Sequence, residues 1–165
     1  YDEHELEDIF RKYGEEKFSK RIAERIISER KVKEIATTYE LADIVRSAVP
    51  KDAVNSFKRI FQALRIEVNG ELKELKKAIL DRASVLNVGG RICIITFHSL
   101  EDRIVKEAFL ELQGKCTCPK DFPKCVCGYK SSGKVITKKP IVPSDEEMER
   151  NPRSKSAKLR VFERS

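Results

Sequence analysis

Gly89-Gly90-Arg91-Ile92-Cys93-Ile94-Ile95-Thr96-Phe97-His98-Ser99-Leu100-Glu101-Asp102-Arg103 is the stretch on which the fold turns. The paired glycines make a turn. The apolar run from Ile92 to Phe97 has the composition of a strand buried on both faces of a parallel sheet. Ser99 then stands where a helix cap belongs, and Glu101 and Asp102 occupy the first turn, where the helix dipole favours acidic side chains. Ile104, Val105, Ala108, Phe109 and Leu112 repeat at helical spacing and give that helix a core face. Helix, turn, buried strand, tight loop and helix together form the repeating unit of a doubly wound α/β sheet.

Working upstream, apolar residues fall in steps of three or four at Phe57, Phe61, Leu64, Val68, Leu72, Leu75, Ile79, Ala83 and Leu86. The spacing predicts one helix of about 45 Å, with Asn69-Gly70 as the place for a kink. Three shorter amphipathic segments precede it. Their apolar faces are Leu6, Ile9, Phe10 and Tyr13; then Phe18, Ile22, Ala23, Ile26 and Ile27; then Leu41, Ile44, Val45 and Ala48. Thr37 and Glu40 have capping-box spacing at the start of the third, and Pro50 stops it. Helices this short are stable only when packed together, so residues 1–52 are expected to form a helical subdomain and 53–165 the sheet-bearing part. Downstream, Val135-Ile136-Thr137 and Leu159 to Phe162 read as strands. Between them lies a short helix that Ser144 caps and Asn151-Pro152 stops.

The 165 residues include 34 basic and 27 acidic side chains, a formal charge of +7. That sign favours a polyanionic partner, RNA or an acidic membrane surface, without choosing between them. Apolar residues at 40% suffice for a packed core. No apolar run approaches the roughly 20 residues of a membrane span, and the acidic start Tyr1-Asp2-Glu3-His4-Glu5 is unlike a signal peptide. A cytoplasmic location is expected, and a first residue other than Met points to a longer protein.

Ligands of open α/β sheets bind outside the carboxyl ends of the strands. There the chain places Phe97 through Arg103, its densest set of reactive side chains, with His98 and Ser99 foremost. A second constellation lies in a Cys-rich loop, 114–130, where Cys116, Cys118, Cys125 and Cys127 carry thiols that suit either a closed structural zinc site or reduced cysteines. The third is the basic approach to the last strand, Asn151 through Arg160. It suits phosphate contacts or plain solvation.

Five segments, read in order, resemble successive signatures of the MraW/RsmH methyltransferases. They are Tyr13-Gly14-Glu15-Glu16-Lys17-Phe18-Ser19, Phe61 to Asn69, Gly89-Gly90-Arg91-Ile92, Phe97 to Arg103, and Asn151-Pro152-Arg153 through Leu159-Arg160. The resemblance implies the carboxy-terminal part of a class I methyltransferase Rossmann sheet, preceded by an inserted all-helical subdomain. It also implies S-adenosylmethionine as donor and methylation of the N4 amine of a cytidine in the decoding region of 16S ribosomal RNA. By the same resemblance the glycine-rich cofactor loop precedes Tyr1, so no cofactor-binding residue is expected in this chain. His98 and Ser99 would border the cytosine, while Arg65, Arg103, Arg153 and Lys155 would steady the RNA. Where the family usually has a basic His-Pro loop, this chain has Ala53-Val54-Asn55-Ser56-Phe57-Lys58-Arg59.

Two rival readings use the same residues. One is a non-catalytic RNA-binding module with a zinc knuckle; the other is a helical assembly segment. The sequence leaves a homodimer open.

Overall fold

The structure, a computed structural model, describes residues 1–114 and 130–165. Local hydrogen bonds start its first helices. In α1 (Glu3–Gly14) the Asp2 carboxylate accepts from the Glu5 N–H at 2.8 Å, and Glu5 accepts from the Asp2 N–H at 2.7 Å. After α2 (Ser19–Val32), the Thr37 and Glu40 pair starts α3 (Thr38–Ala48) with the reciprocal bonds that their spacing predicts. These satisfy first-turn N–H groups that have no partner inside the helix.

The chain forms two compact units, Tyr1–Glu71 and Leu72–Ser165. In the first, α4 (Ala53–Asn69) adds Ile60 and Ala63 to a core of Leu6, Ile9, Phe10, Ile22, Ala23, Ile26, Val45 and Ala48. Compactness therefore groups α4 with α1–α3. The approach of α1 to α4 needs Gly14, because a Cβ there would lie 2.9 Å from the Arg59 carbonyl oxygen. Just beyond, the buried Glu16 accepts from the Phe18 N–H at 2.9 Å and from Arg59 at 3.1 Å.

The expected single long helix is two. Gly70 takes a left-handed conformation, φ 61°, and ends α4 before α5 (Glu71–Val85) begins. Glycine adopts that backbone without the Cβ clash that would hold another residue in the helix.

The second unit carries a sheet of β1 (Arg91–Thr96), β2 (Gly133–Val135) and β3 (Lys158–Arg164) in the order β1-β3-β2. Both outer strands run antiparallel to β3, which corrects the expectation of parallel neighbours for β1. Burial is one-sided as well. Ile92 and Ile94 face a core of Ile79, Val105, Ala108, Phe109 and Phe162, whereas Cys93 and Ile95 are exposed. The helix α6 (Ser99–Gln113) connects β1 to β2 through the segment 115–129, and Phe109 meets Phe162 with ring centroids 5.6 Å apart. At the end of β2 the ladder bulges. The N–H groups of Ile136 and Thr137 both donate to the Val161 carbonyl, and the Val161 N–H donates to Thr137 Oγ1 at 2.8 Å. The short helix α7 (Asp145–Arg150) starts at Ser144, as its sequence predicts, and a 3₁₀ turn, Pro152–Ser156, leads into β3.

Candidate functional site

Because β1 and β2 both oppose β3, they leave the sheet at the same end, and β3 enters there. That end carries Thr96, the loop Phe97-His98, the start of α6 and Lys158. Thr96 is fully buried opposite Lys158, and its hydroxyl donates to the Lys158 carbonyl at 3.4 Å.

The cap of α6 is His98, one residue before the expected Ser99. Its Nδ1 accepts from the Glu101 N–H at 3.3 Å, while Glu101 Oε2 accepts from the N–H groups of Phe97, at 2.8 Å, and His98, at 3.2 Å. Glu101 stands three residues after His98, the spacing a capping box needs, so the imidazole takes the place of a serine hydroxyl. With Nδ1 accepting, the neutral ring holds its proton on Nε2, which lies 3.3 Å from Glu101 Oε1. Ser99 is the first helical residue and is exposed.

One turn into α6, Asp102 receives a two-pronged pair from Arg160, Nε to Oδ1 at 2.6 Å and Nη2 to Oδ2 at 3.0 Å. Lys158 adds its ammonium at 3.7 Å. Arg160 is 6% exposed, and its hydrogen bond to Asp102 is the main reason that carboxyl is held below the usual aspartate range. Sequence reasoning did not single out this pair. A signal was present: Lys158, Arg160 and Phe162 alternate along β3, so an arginine shares the face that packs on α6 and requires a buried carboxylate.

The other expected site residues are dispersed. Arg103 is exposed on α6, and Arg153 and Lys155 are exposed on the 3₁₀ turn before β3. Lys155 lines an open depression with Asp145, Met148, Glu149 and Pro152, so acidic side chains share its surroundings. Arg65 belongs to the first unit, where Glu71 accepts from its Nε and Nη2 at 2.9 and 3.2 Å. Cys116, Cys118, Cys125 and Cys127 lie outside the described residues. Among the described residues no three His, Cys, Asp or Glu side chains cluster as metal ligands, and no helix is long and apolar enough to cross a membrane.

At this helix start the Ser99 hydroxyl is exposed, the His98 imidazole is largely buried with its Nε2 out of solvent, and the Glu101 carboxylate is partly exposed, with Lys158 and Arg160 balancing Asp102 behind them. The hydroxyl can hydrogen-bond a polar substrate, and of the three groups only the Glu101 carboxylate can take up a proton, since His98 Nδ1 is already an acceptor. Residues 1–165 match the model of the MraW methylase family. The chain is 57% identical to Ribosomal RNA small subunit methyltransferase H of Caldicellulosiruptor saccharolyticus over 99% of its own length and 54% of that protein's. It is 55% identical to the protein of the same name from Clostridioides difficile, again over 99% of this chain and 54% of the relative. Ribosomal RNA small subunit methyltransferase H 2 of Agathobacter rectalis is 54% identical over all of this chain and 54% of its own length. The chain therefore spans about half the length of the curated relatives it matches.

Proposed function

Since the chain belongs to the MraW methylase family, we propose that it is the substrate-side part of an S-adenosylmethionine-dependent methyltransferase that modifies N4 of a cytidine in the decoding region of 16S ribosomal RNA. The observation that carries the reading is the Asp102–Arg160 pair. It ties together, in one end of one sheet, two of the segments that resemble the family, Phe97 to Arg103 and Asn151 to Arg160. The names of the relatives support ribosomal RNA as the substrate.

Topology supports the class I sheet. A last strand inserted antiparallel between two strands of common direction is the arrangement of β1-β3-β2, and among the described residues β1 has an open edge at which further strands would pair. On this reading residues 1–52 are the helical insertion and 53–165 return to the sheet.

The turn between β1 and α6 does not fit the methyl donor. The strand-to-helix turn at Phe97-His98-Ser99 holds no glycine, whereas close approach of backbone to a nucleotide cofactor calls for one, and acidic side chains fill the first turn of α6. Donor binding is therefore assigned to the part of the full-length protein that this chain does not span.

What this chain supplies is the acceptor side. The lone pair of a cytosine amine is delocalised into the ring, so catalysis depends on holding the amine with its lone pair aimed and on accepting a proton as the nitrogen becomes cationic. His98 and Ser99 border the base at the carboxyl end of β1. Arg65, Arg103, Arg153 and Lys155 contact the RNA backbone. A base inside a duplex is out of reach, so the cytidine is presented unstacked.

The test is methylation of small-subunit RNA by the full-length protein, with the modified nucleoside identified by mass spectrometry. N4-methylcytidine that depends on S-adenosylmethionine is expected. A methyl group on another base, or undiminished methylation after both His98→Ala and Arg103→Ala, would overturn the assignment.

A further inference from the structure

Beside the site just described, a cavity of about 340 Å3 opens between α6 and the end of β2. Lys106, Leu110 and Gln113 line one side and Val135, Thr137 and Lys138 the other. The three α6 residues recur at intervals of four and three and so share one helix face. Two of the polar groups here are already used: the Val135 N–H donates to Gln113 Oε1 at 3.0 Å, and Thr137 Oγ1 accepts from Val161. Leu110 is half exposed. What remains is an apolar floor between two ammonium groups. Lys106 and Lys138 are exposed and form no ion pair among the described residues, whereas nearby Lys134 is held by Glu163 at 2.8 Å.

The distribution of charge singles out the same unit. The first unit has 14 basic and 15 acidic side chains, while the second has 20 and 12, so the whole excess of positive charge belongs to the unit that bears the groove. Lys138 follows β2 at the end of the sheet where the His98 loop follows β1.

We propose that this groove holds the ribose–phosphate backbone of single-stranded RNA, the segment flanking the nucleotide that the His98 loop receives. The proposal rests on the reading of the protein as an RNA methyltransferase. Backbone rather than base recognition follows from the lining. Phe109, the aromatic residue in the wall, is fully buried and offers no stacking face, and the Gln113 oxygen is engaged. Ammonium groups act on phosphates as point charges, and sugars rest on apolar surface such as Leu110 and Val135. Contacts of this kind position an RNA without reading its sequence.

The test uses the full-length protein and short fluorescent single-stranded RNA oligonucleotides of several sequences, with affinity measured by anisotropy over a range of potassium chloride. Each phosphate neutralised on a single strand contributes about 0.7 to the slope of log affinity against log salt. Lys106→Ala with Lys138→Ala is therefore expected to lower the slope by about 1.4, and the affinity at ~0.1 M salt by roughly 25-fold, equally for every sequence. Lys106→Arg with Lys138→Arg should keep both. The control, Lys73→Ala with Lys77→Ala, removes the same charge from exposed positions on α5 and should change neither. Each single substitution, expected to lower the slope by about 0.7, serves should the double variant be unstable.

A wild-type slope in the double variant of a protein that still binds RNA and methylates it would overturn the groove alone. So would displacement of the RNA by an acidic peptide at equal charge concentration, which would make the groove a protein site. A protein that neither binds nor methylates ribosomal RNA would overturn both the groove and the reading beneath it.

Discussion

At His98, capping and chemistry compete for one imidazole. Both ring nitrogens face Glu101, so part of what a substitution removes is the helix start. The two roles separate by choice of replacement. Asparagine is among the best capping residues and alanine among the poorest, so His98→Ala should cost about 1 kcal/mol in chemical denaturation and His98→Asn little. If the ring also borders the base, His98→Asn in the full-length enzyme will keep the unfolding midpoint while its kcat for RNA methylation falls. Equal kcat in the asparagine variant and the wild type would reduce His98 to a cap. Asp102 and Arg160 pose a different problem, because Arg160 is buried and has no solvent to fall back on. Asp102→Asn should destabilise the protein by about 3 kcal/mol, the cost of leaving a buried charge without its partner. The carboxyl of Asp102 titrates below its unfolded value, so its contribution is fully present above about pH 4 and is lost as pH falls through the folded value. Urea midpoints of wild type and Asp102→Asn should therefore converge in acid. A gap that stays constant with pH would contradict the pairing.

Helix starts were the elements most legible in the sequence, because a cap closes within three residues. Thr37 and Glu40 form the predicted box, and Ser144 caps α7. Glu40 shows how far such a contact extends. A hydrogen bond from Lys33, with those from the Ala36 and Thr37 N–H groups, lowers its carboxyl to about 2. The stabilisation of α3 by this group is thus complete above about pH 4.5 and fades as pH falls towards 2. Carboxyl-carbon NMR should give Glu40 a midpoint near 2; a midpoint in the ordinary glutamate range would mean that the box is open in solution. Helix ends were less legible. The period of apolar residues runs unbroken from Phe57 to Leu86, yet Gly70 divides it, since periodicity records which side chains meet a core and is silent on backbone handedness. Strand β2 was misplaced by two residues because a bulge at Ile136 and Thr137 shifts the ladder towards Gly133. At Gly133 a Cβ would stand 2.1 Å from the Glu163 carbonyl oxygen, a restriction visible only once β3 lies alongside.

At the scale of the molecule, β1 has one neighbouring strand among the described residues. Ile95 at 59% exposure and Phe97 at 55% lie on or beside its uncovered face, and an open edge with apolar side chains invites pairing. The isolated chain should self-associate as its concentration rises, and Ile95→Lys should keep it monomeric in sedimentation velocity experiments. Monomeric wild type at the highest soluble concentration would show that the edge is protected by other means. The apolar run of β1 was read as burial on both faces, and in this chain one face is covered. Composition records what a strand is suited to bury, whereas burial depends on which elements are present to pack on it. By itself the sequence determined the starts of α3 and α7, the strand–loop–helix order around His98 and the family to which the chain belongs, because these depend on residues close together or on motifs in fixed order. Tertiary structure alone decided the antiparallel direction of the strands and the union of Asp102 with Arg160, 58 positions apart. Strand direction and a buried ion pair are set by which distant segments meet, and the energy of such meetings is not carried by either segment alone.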